Sequence, residues 1–314
     1  MKRDFQCLVT GGAGFIGSNL VGELVALGAN VTVLDNLSSG YRCNLESFPA
    51  IRFVEGDIRD PKAVSEAMEG CEVVFHLAAS VGNKRSIDRP LEDAEVNVLG
   101  TIQILECARA LAVRKVVISS SAGVFGELKT LPIREDHPLS PDSPYGCTKL
   151  CEEGLGLVWA KLYGLETVCL RYFNVFGRRQ RFDAYGNVIP IFVFQALRGE
   201  SLTIFGDGEQ TRDFVHARDV VAANIGAALQ PGLSGVFNIG SGYRVSINEL
   251  VRLIAEVSEL KLDVRYGPER PGDVRHSLAD ISAARAGFGF APSSDFKGNL
   301  ADYVEWVRGE VATG

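Results

Sequence analysis

Short β-branched runs alternate with amphipathic stretches through the first half of the chain. The runs lie near 5–9, 30–34, 51–55, 73–76, 115–119 and 167–172, with helical patterns near 15–27, 61–68, 91–111 and 144–162 between them. Strands alternating with helices imply right-handed crossovers and a mostly parallel sheet covered on both faces. The expected fold class is α/β, a doubly wound parallel sheet whose ligands sit at the carboxyl ends of the strands.

After Asn174 the rhythm changes. Residues 178–187 are polar and glycine-bearing, 188–198 reads as helix, and 201–205 as a short strand ending at the turn Gly206-Asp207-Gly208. Helical runs follow at 217–229 and 246–260 with a strand at 236–239 between, then turns around 267–273 and two terminal helices. No low-complexity linker or internal repeat separates these parts. The pattern predicts a sheet domain over 1–173 that also takes in 213–240. A smaller C-terminal lobe, from 174–212 and 241–314, packs directly on it.

At 314 residues the chain can bury a substantial core. Its formal charge of −7 argues against nucleic-acid and acidic-membrane partners, so an anionic ligand must be held by local arginines and helix N-termini. The seven cysteines are odd in number, form no Cys-x-x-Cys pair and sit among apolar residues, which suits buried thiols in a reducing compartment. There is no signal-like apolar core and no run of the roughly 18 residues a membrane span needs, so a cytoplasmic location is expected. His76, His137, His216 and His276 lack metal-ligand spacing, and no metal is expected.

Gly11, Gly14 and Gly17 follow the first strand and open the first helix. Such a turn lets the backbone approach a pyrophosphate, to which the helix N-terminus offers NH groups and partial positive charge. Glycine turns also arise from tight packing alone, but this one has the required strand-turn-helix context. Asp35 ends the second strand, placed either to accept from both adenosine ribose hydroxyls or to form the turn before Asn36. A carboxylate there repels a 2′-phosphate, which favours NAD over NADP. Asp57-Ile58 and Leu77-Ala78-Ala79 follow the third and fourth strands, where they can meet the adenine and allow close approach of the cofactor.

Tyr145 and Lys149 fall on one face of a helix that Ser143-Pro144 can initiate, and Ser121 closes the fifth strand. A tyrosine acting as base near neutrality must lose about three pKa units, roughly 4 kcal/mol. The Lys149 ammonium and an oxidised nicotinamide ring are suitable agents. Alone, Tyr-x-x-x-Lys would read as a surface pair. Behind the glycine loop and a serine-terminated strand it reads as hydride-transfer apparatus. The acidic pair Glu152-Glu153, one turn on, reads most simply as a solvated helix face.

With these motifs the chain resembles the extended short-chain dehydrogenase/reductases, in their NAD-dependent sugar-nucleotide epimerase/dehydratase branch. Matching segments are Thr10–Gly17, Asp35-Asn36-Leu37, Gly56-Asp57-Ile58, His76–Ala79, Asn97–Thr101, Ser119–Ser121, Tyr145–Lys149, Arg171–Gly177 and Arg212–His216. The resemblance implies a Rossmann domain with a substrate lobe, tightly held NAD and a UDP-sugar substrate. It adds Phe15, Ile16, Asn36, Ser38, Gly40, Asn97, Ser119 and Phe173 to the cofactor contacts. Asn174, Val188, Thr203, Phe205, Arg212, Arg270, Asp273 and Ser277 become substrate contacts, beside Ser121 and Tyr145. Arg178-Arg179-Gln180-Arg181 is either a substrate-loop cluster or an exposed charge run. Relatives that pair the helices near 91–111 and 144–162 suggest a homodimer.

Within the branch, dehydratases carry Asp-Glu directly after the serine and decarboxylases a Glu at the second position. Ala122-Gly123 here can move no proton, which leaves C4 epimerisation. Ser277 matches a position flanking the sugar C2 substituent where a tyrosine would exclude N-acetyl groups, although it could equally be a plain helix or loop residue. Arg85-Ser86-Ile87 and Val274–Ser277 also look most like N-acetylhexosamine-preferring epimerases. The expected activity is a UDP-sugar 4-epimerase acting on UDP-GlcNAc/UDP-GalNAc and on UDP-Glc/UDP-Gal. The alternatives are a UDP-glucose 4-epimerase with little N-acetyl activity, a UDP-glucuronate 4-epimerase, a related nucleotide-sugar oxidoreductase, or a non-catalytic nucleotide-sensing protein.

Overall fold

The computed structural model describes residues 5–183, 186–269 and 274–313. The first half runs β1 (Gln6–Thr10), α1 (Phe15–Ala26), β2 (Asn30–Asp35), β3 (Arg52–Glu55), α2 (Pro61–Met68), β4 (Val73–His76), α3 (Asn83–Asp88), α4 (Pro90–Ala94), α5 (Gly100–Ala110), β5 (Lys115–Ser121), α6 (Pro144–Tyr163) and β6 (Glu166–Tyr172). The second half runs β7 (Asn174–Phe176), α7 (Val188–Leu197), β8 (Leu202–Phe205), β9 (Thr211–Arg212), β10 (Phe214–His216), α8 (Ala217–Leu229), β11 (Gly235–Ile239), β12 (Val245–Ser246), α9 (Ile247–Ser258), β13 (Val264–Gly267), α10 (Ser282–Phe288) and α11 (Phe296–Thr313). Local chemistry sets the helix ends that matter. Ser143 caps α6 by accepting from Gly146 N, Pro144 fills its first position, and Gly164 ends it in the left-handed conformation.

Seven strands form one parallel sheet in the order β11-β6-β5-β4-β1-β2-β3. The chain builds outward from β1 to β3, then returns to the other side of β1 with β4. That reversal opens a crevice at the carboxyl ends of β1 and β4, where a doubly wound sheet binds its ligand. β11 pairs with β6, and α8 lies against α1. A separate apolar core gathers α7, α9 and α11 around Tyr303, Ile254 and Leu300. Three short strand pairs, β7/β10, β8/β13 and β9/β12, stand outside the main sheet, and β7/β10 contributes residues to both cores. No described helix is long and apolar enough to cross a membrane.

Three sequence expectations need correction. The stretch near 91–111 is not one regular helix: a π-turn at Glu95–Leu99 separates α4 from α5. Such bulges are rare and gather at functional sites. The region beyond 260 holds strand β13 beside β8, just before the expected turns around 267–273, where the sequence pattern places no strand. Only Cys7, Cys71, Cys107 and Cys169 are buried thiols, since Cys43, Cys147 and Cys151 are exposed. Positions 147 and 151, four apart, lie on the solvent side of α6, so apolar neighbours in sequence did not mean apolar neighbours in space.

Glu153 and Arg171 form a buried pair between α6 and β6, through Nε at 2.9 Å and Nη2 at 2.8 Å. Ser120 Oγ donates to the same carboxylate at 2.5 Å. Removing one partner strands the other in a dry place. Glu153→Ala should therefore destabilise the fold by about 3 kcal/mol or more, read as a lowered denaturation midpoint; a change within about 0.5 kcal/mol would contradict this pairing.

Candidate active site

The glycine loop is built for backbone approach. Gly11 has φ +68°, and a Cβ there would lie 2.7 Å from Ala78 N. At Gly17 a Cβ would lie 2.1 Å from the Gly11 carbonyl oxygen, an impossible contact. The N-terminus of α1 has no side-chain cap and no acidic residue in its first turn, so its NH groups face outward without a competing anion. This cradle fits a dinucleotide pyrophosphate.

Asp35 is buried beside the loop, its Oδ2 accepting from Ala13 N at 2.9 Å and its Oδ1 from Leu37 N at 2.8 Å. Burial pushes its carboxyl above the usual value, and these two bonds oppose that. Gly40 lies close enough that a Cβ would touch Ala13 and Asp35 Oδ1. Asn36 donates to Asp57, and Ser38 N donates to Asn36 Oδ1. Arg59 grips Asp57 and holds its carboxyl well below the usual range. Ile58 is buried, its side chain against Gly100. Phe15, Ile16, Leu77, Ala78 and Ala79 are half-buried around the crevice.

Asn97, in the π-turn, binds the segment after β4. Its Oδ1 accepts from Ser80 N, and its Nδ2 donates to Ser80 O and Thr148 Oγ1. Thr148 Oγ1 also donates to Asp93 Oδ2 at 2.7 Å. His76 sits between Thr10 and Thr101, and burial drops it to about 3, so it serves as a neutral link near the switch point.

Ser121, Tyr145 and Lys149, the set expected from the sequence to handle the proton, converge at the end of β5. The Ser121 hydroxyl lies near enough to the Tyr145 phenol to favour its ionised form, and accepts from Gly123 N at 3.1 Å. Lys149 Nζ lies 6.0 Å from the Tyr145 ring centroid and donates to Ser119 O at 3.0 Å. Burial pushes the Tyr145 phenol up; the Lys149 ammonium opposes this and Glu152 adds to it. Burial works against the Lys149 charge, but Glu152 and Tyr145 outweigh it and hold that ammonium above its usual value. A Cβ on Gly123 would stand 3.4 Å from Ser121 Oγ and 4.0 Å from the Tyr145 ring. Position 123 thus faces Ser121 and Tyr145 and presents no side chain.

Glu152-Glu153 is not a solvated face. Both are buried, at 1% and 2% exposure. The helical spacing Tyr145, Lys149, Glu152, Glu153, Gly156 puts them on the sheet side of α6, and that spacing was the available signal. In the sequence Asp213 stands only as part of the Arg212–His216 segment. It is fully buried and accepts from Ser241 N, Ser241 Oγ, Gly242 N and Ala279 N, tying the end of β11 to the 279 segment.

On the lobe side, Asn174 Nδ2 donates to Asp213 O, and Thr203 and Phe205 share the half-buried face of β8 with Gly267 across from them. Val188 opens α7. Arg212 pairs through β9 with Val245 and donates to Thr211 O. Ser277 is buried in a segment stitched to Thr211 on one side and to Ile133 on the other. Arg270 and Asp273 lie outside the described residues. Phe173 is buried, its ring 6.4 Å from that of Phe125. The Arg178–181 cluster is a clasp: Arg178 binds Asp302 at 2.6 Å, Arg179 donates to Ser18 O, and Arg181 pairs with Glu310 at 3.3 Å over the Tyr41 ring.

Residues 7–240 match the model of the NAD dependent epimerase/dehydratase family. A UDP-glucose 4-epimerase of Mycolicibacterium smegmatis is 41% identical over 308 residues, covering 96% of this chain and 98% of its own. The UDP-N-acetylglucosamine 4-epimerase of Methanobrevibacter ruminantium M1, solved with UDP-N-acetylmuramic acid, superposes with a TM-score of 0.94 at 38% identity, over 98% of this chain and 99% of that one. The UDP-glucose 4-epimerase of Thermotoga maritima, solved with UDP-glucose, gives 0.92 at 38% identity, over 98% and 100%. The fold, the glycine cradle and these matches agree: the chain is an enzyme of the NAD dependent epimerase/dehydratase family.

Proposed function

We propose that this enzyme inverts C4 of UDP-hexoses, with UDP-GlcNAc/UDP-GalNAc and UDP-Glc/UDP-Gal as substrates. The observation that carries the reading is Ser121, Tyr145 and Lys149 converging beside Ala122-Gly123, which offers no second acid or base. Bound NAD supplies the hydride acceptor for C4 oxidation and the hydride donor for the return. Tyr145 takes the C4 hydroxyl proton, and Ser121 orients the reacting oxygen by hydrogen bonding. Lys149 stabilises the tyrosinate and binds the nicotinamide ribose. The keto sugar turns about its diphosphate link, and Tyr145 gives the proton back to O4. A dehydratase needs an added acid and base after the serine, and a decarboxylase a carboxylate at position 123.

In this reading Gly11, Gly14, Gly17 and Asp35 hold the cofactor. Asn174, Val188, Thr203, Phe205 and Arg212 frame the UDP, with Arg270 and Asp273 from the neighbouring segment. Exposed apolar residues on the outer surface, Leu91, Leu99, Val158 and Leu162, support a homodimer through α4, the π-turn and α6. Light scattering should then give twice the chain mass; a monomer at micromolar concentration would contradict the dimer.

Incubation with a panel of UDP-sugars, without added NAD, should yield C4 epimers and consume no reductant. Stoichiometric NADH consumption would instead indicate a net reductase. Tyr145→Phe should lower kcat by about 10²–10⁴-fold while the protein stays folded. Turnover at the wild-type rate would sink the assignment. Ser277→Tyr should block the N-acetylated substrates and spare UDP-Gal, and unchanged selectivity between the two would refute the gate.

A further inference from the structure

Two neighbouring carboxylates on α6 point at the sheet, and only one has an arginine. Glu153 is held by the Arg171 fork and by Ser120. Glu152 is left with Lys149: Oε2 accepts from Nζ at 3.1 Å, while Oε1 lies 3.0 Å from the same nitrogen and receives no aligned hydrogen bond. Both partners are out of water, at 1% and 2% exposure. On its own helix Glu152 faces Lys149, Glu153, Tyr145 and Cys151. Asp93 faces the pair from α4, Arg171 and Cys169 lie on β6, and His76 of β4 senses the Lys149 charge. With every carboxyl ionised, this dry cluster would hold two cations, Lys149 and Arg171, against three anions, Asp93, Glu152 and Glu153.

Building on the roles proposed for Tyr145 and Lys149, we infer that Glu152 is a positioning residue that holds the Lys149 ammonium against the Ser119 carbonyl and competes with the Tyr145 tyrosinate for its charge. When Glu152 is neutral, the full field of Lys149 acts on the phenol. When Glu152 releases its proton to solvent, one cation serves two anions, and the tyrosinate is harder to form. Burial pushes the Glu152 carboxyl up to about 7, with Lys149 opposing and Asp93 and Glu153 reinforcing, so the competition falls within the working range of a tyrosine base. No bond other than O–H changes, and the proton exchanges with water.

Profiles of kcat and KM against pH for the NAD-loaded wild type and Glu152→Gln test this. The amide can still accept from Lys149 but carries no charge. Above about 7, where Glu152 is ionised in the wild type, the acid limb of kcat in Glu152→Gln should reflect on the order of tenfold more tyrosinate, converging with the wild type at lower pH where Glu152 is already neutral, with KM changed less than about twofold. A residue that merely fills space would leave the limb in place, and superimposable limbs overturn the inference. Should Glu152→Gln fail to fold, infrared spectra of the wild type decide. A protonated-carboxyl stretch should be present one unit below about 7 and absent one unit above; its absence at the lower pH overturns the inference. Tyr145→Phe, measured alongside, separates the two claims. An active phenylalanine variant removes the underlying mechanism, whereas an inactive one with unmoved Glu152→Gln limbs removes only the role of Glu152.

Discussion

One buried ammonium organises this molecule. Lys149 Nζ sits between the Ser119 carbonyl at the end of β5 and the Glu152 carboxylate of its own helix, almost without solvent. A charge there is tolerable only with close, well-aligned partners. The same side of α6 presents Thr148 to Asp93 and Asn97, and Glu153 to Arg171. The helix is therefore fixed to β5, β6, α4 and the π-turn by polar contacts as well as packing. Tyr145, the proposed base, stands one turn before Lys149 on that fixed helix, so the network that anchors the fold also aims the proposed chemistry.

A second constraint is steric. The chain crosses itself at the switch between β1 and β4, where Gly11 meets Ala78 and Gly17 meets Gly11 closer than any side chain permits. That approach sets α1 with its open NH groups toward the crevice and leaves Asp35 to fix the loop through Ala13 and Leu37. The glycine cradle and the proposed reaction centre thus lie on neighbouring strand ends of one sheet. The clasp from Arg178, Arg179 and Arg181 runs between the α1 side and α11.

Much of this was legible in the residues because it is local. Strand and helix alternation gave the sheet, and Ser143-Pro144 marked the start of α6 within its first turn. The glycine spacing read correctly as a strand-turn-helix. What escaped depends on tertiary partners. Glu152 and Glu153 look like surface charges until Lys149 and Arg171 are placed beside them, although their spacing from Lys149 already put them on its face. Asp213 gathers donors from segments near 241 and 279, a convergence no window of sequence contains. The π-turn at 95–99 has no compositional signature, and β13 is too short and exposed to announce itself except as the partner of β8.

In the proposed reaction hydride leaves C4 and returns to the same carbon within one sheltered site. Its most direct measurement follows UDP-glucose carrying deuterium at C4, converted in ordinary water without added cofactor. The account predicts UDP-galactose with the deuterium kept at C4. Loss of the label to solvent would contradict it.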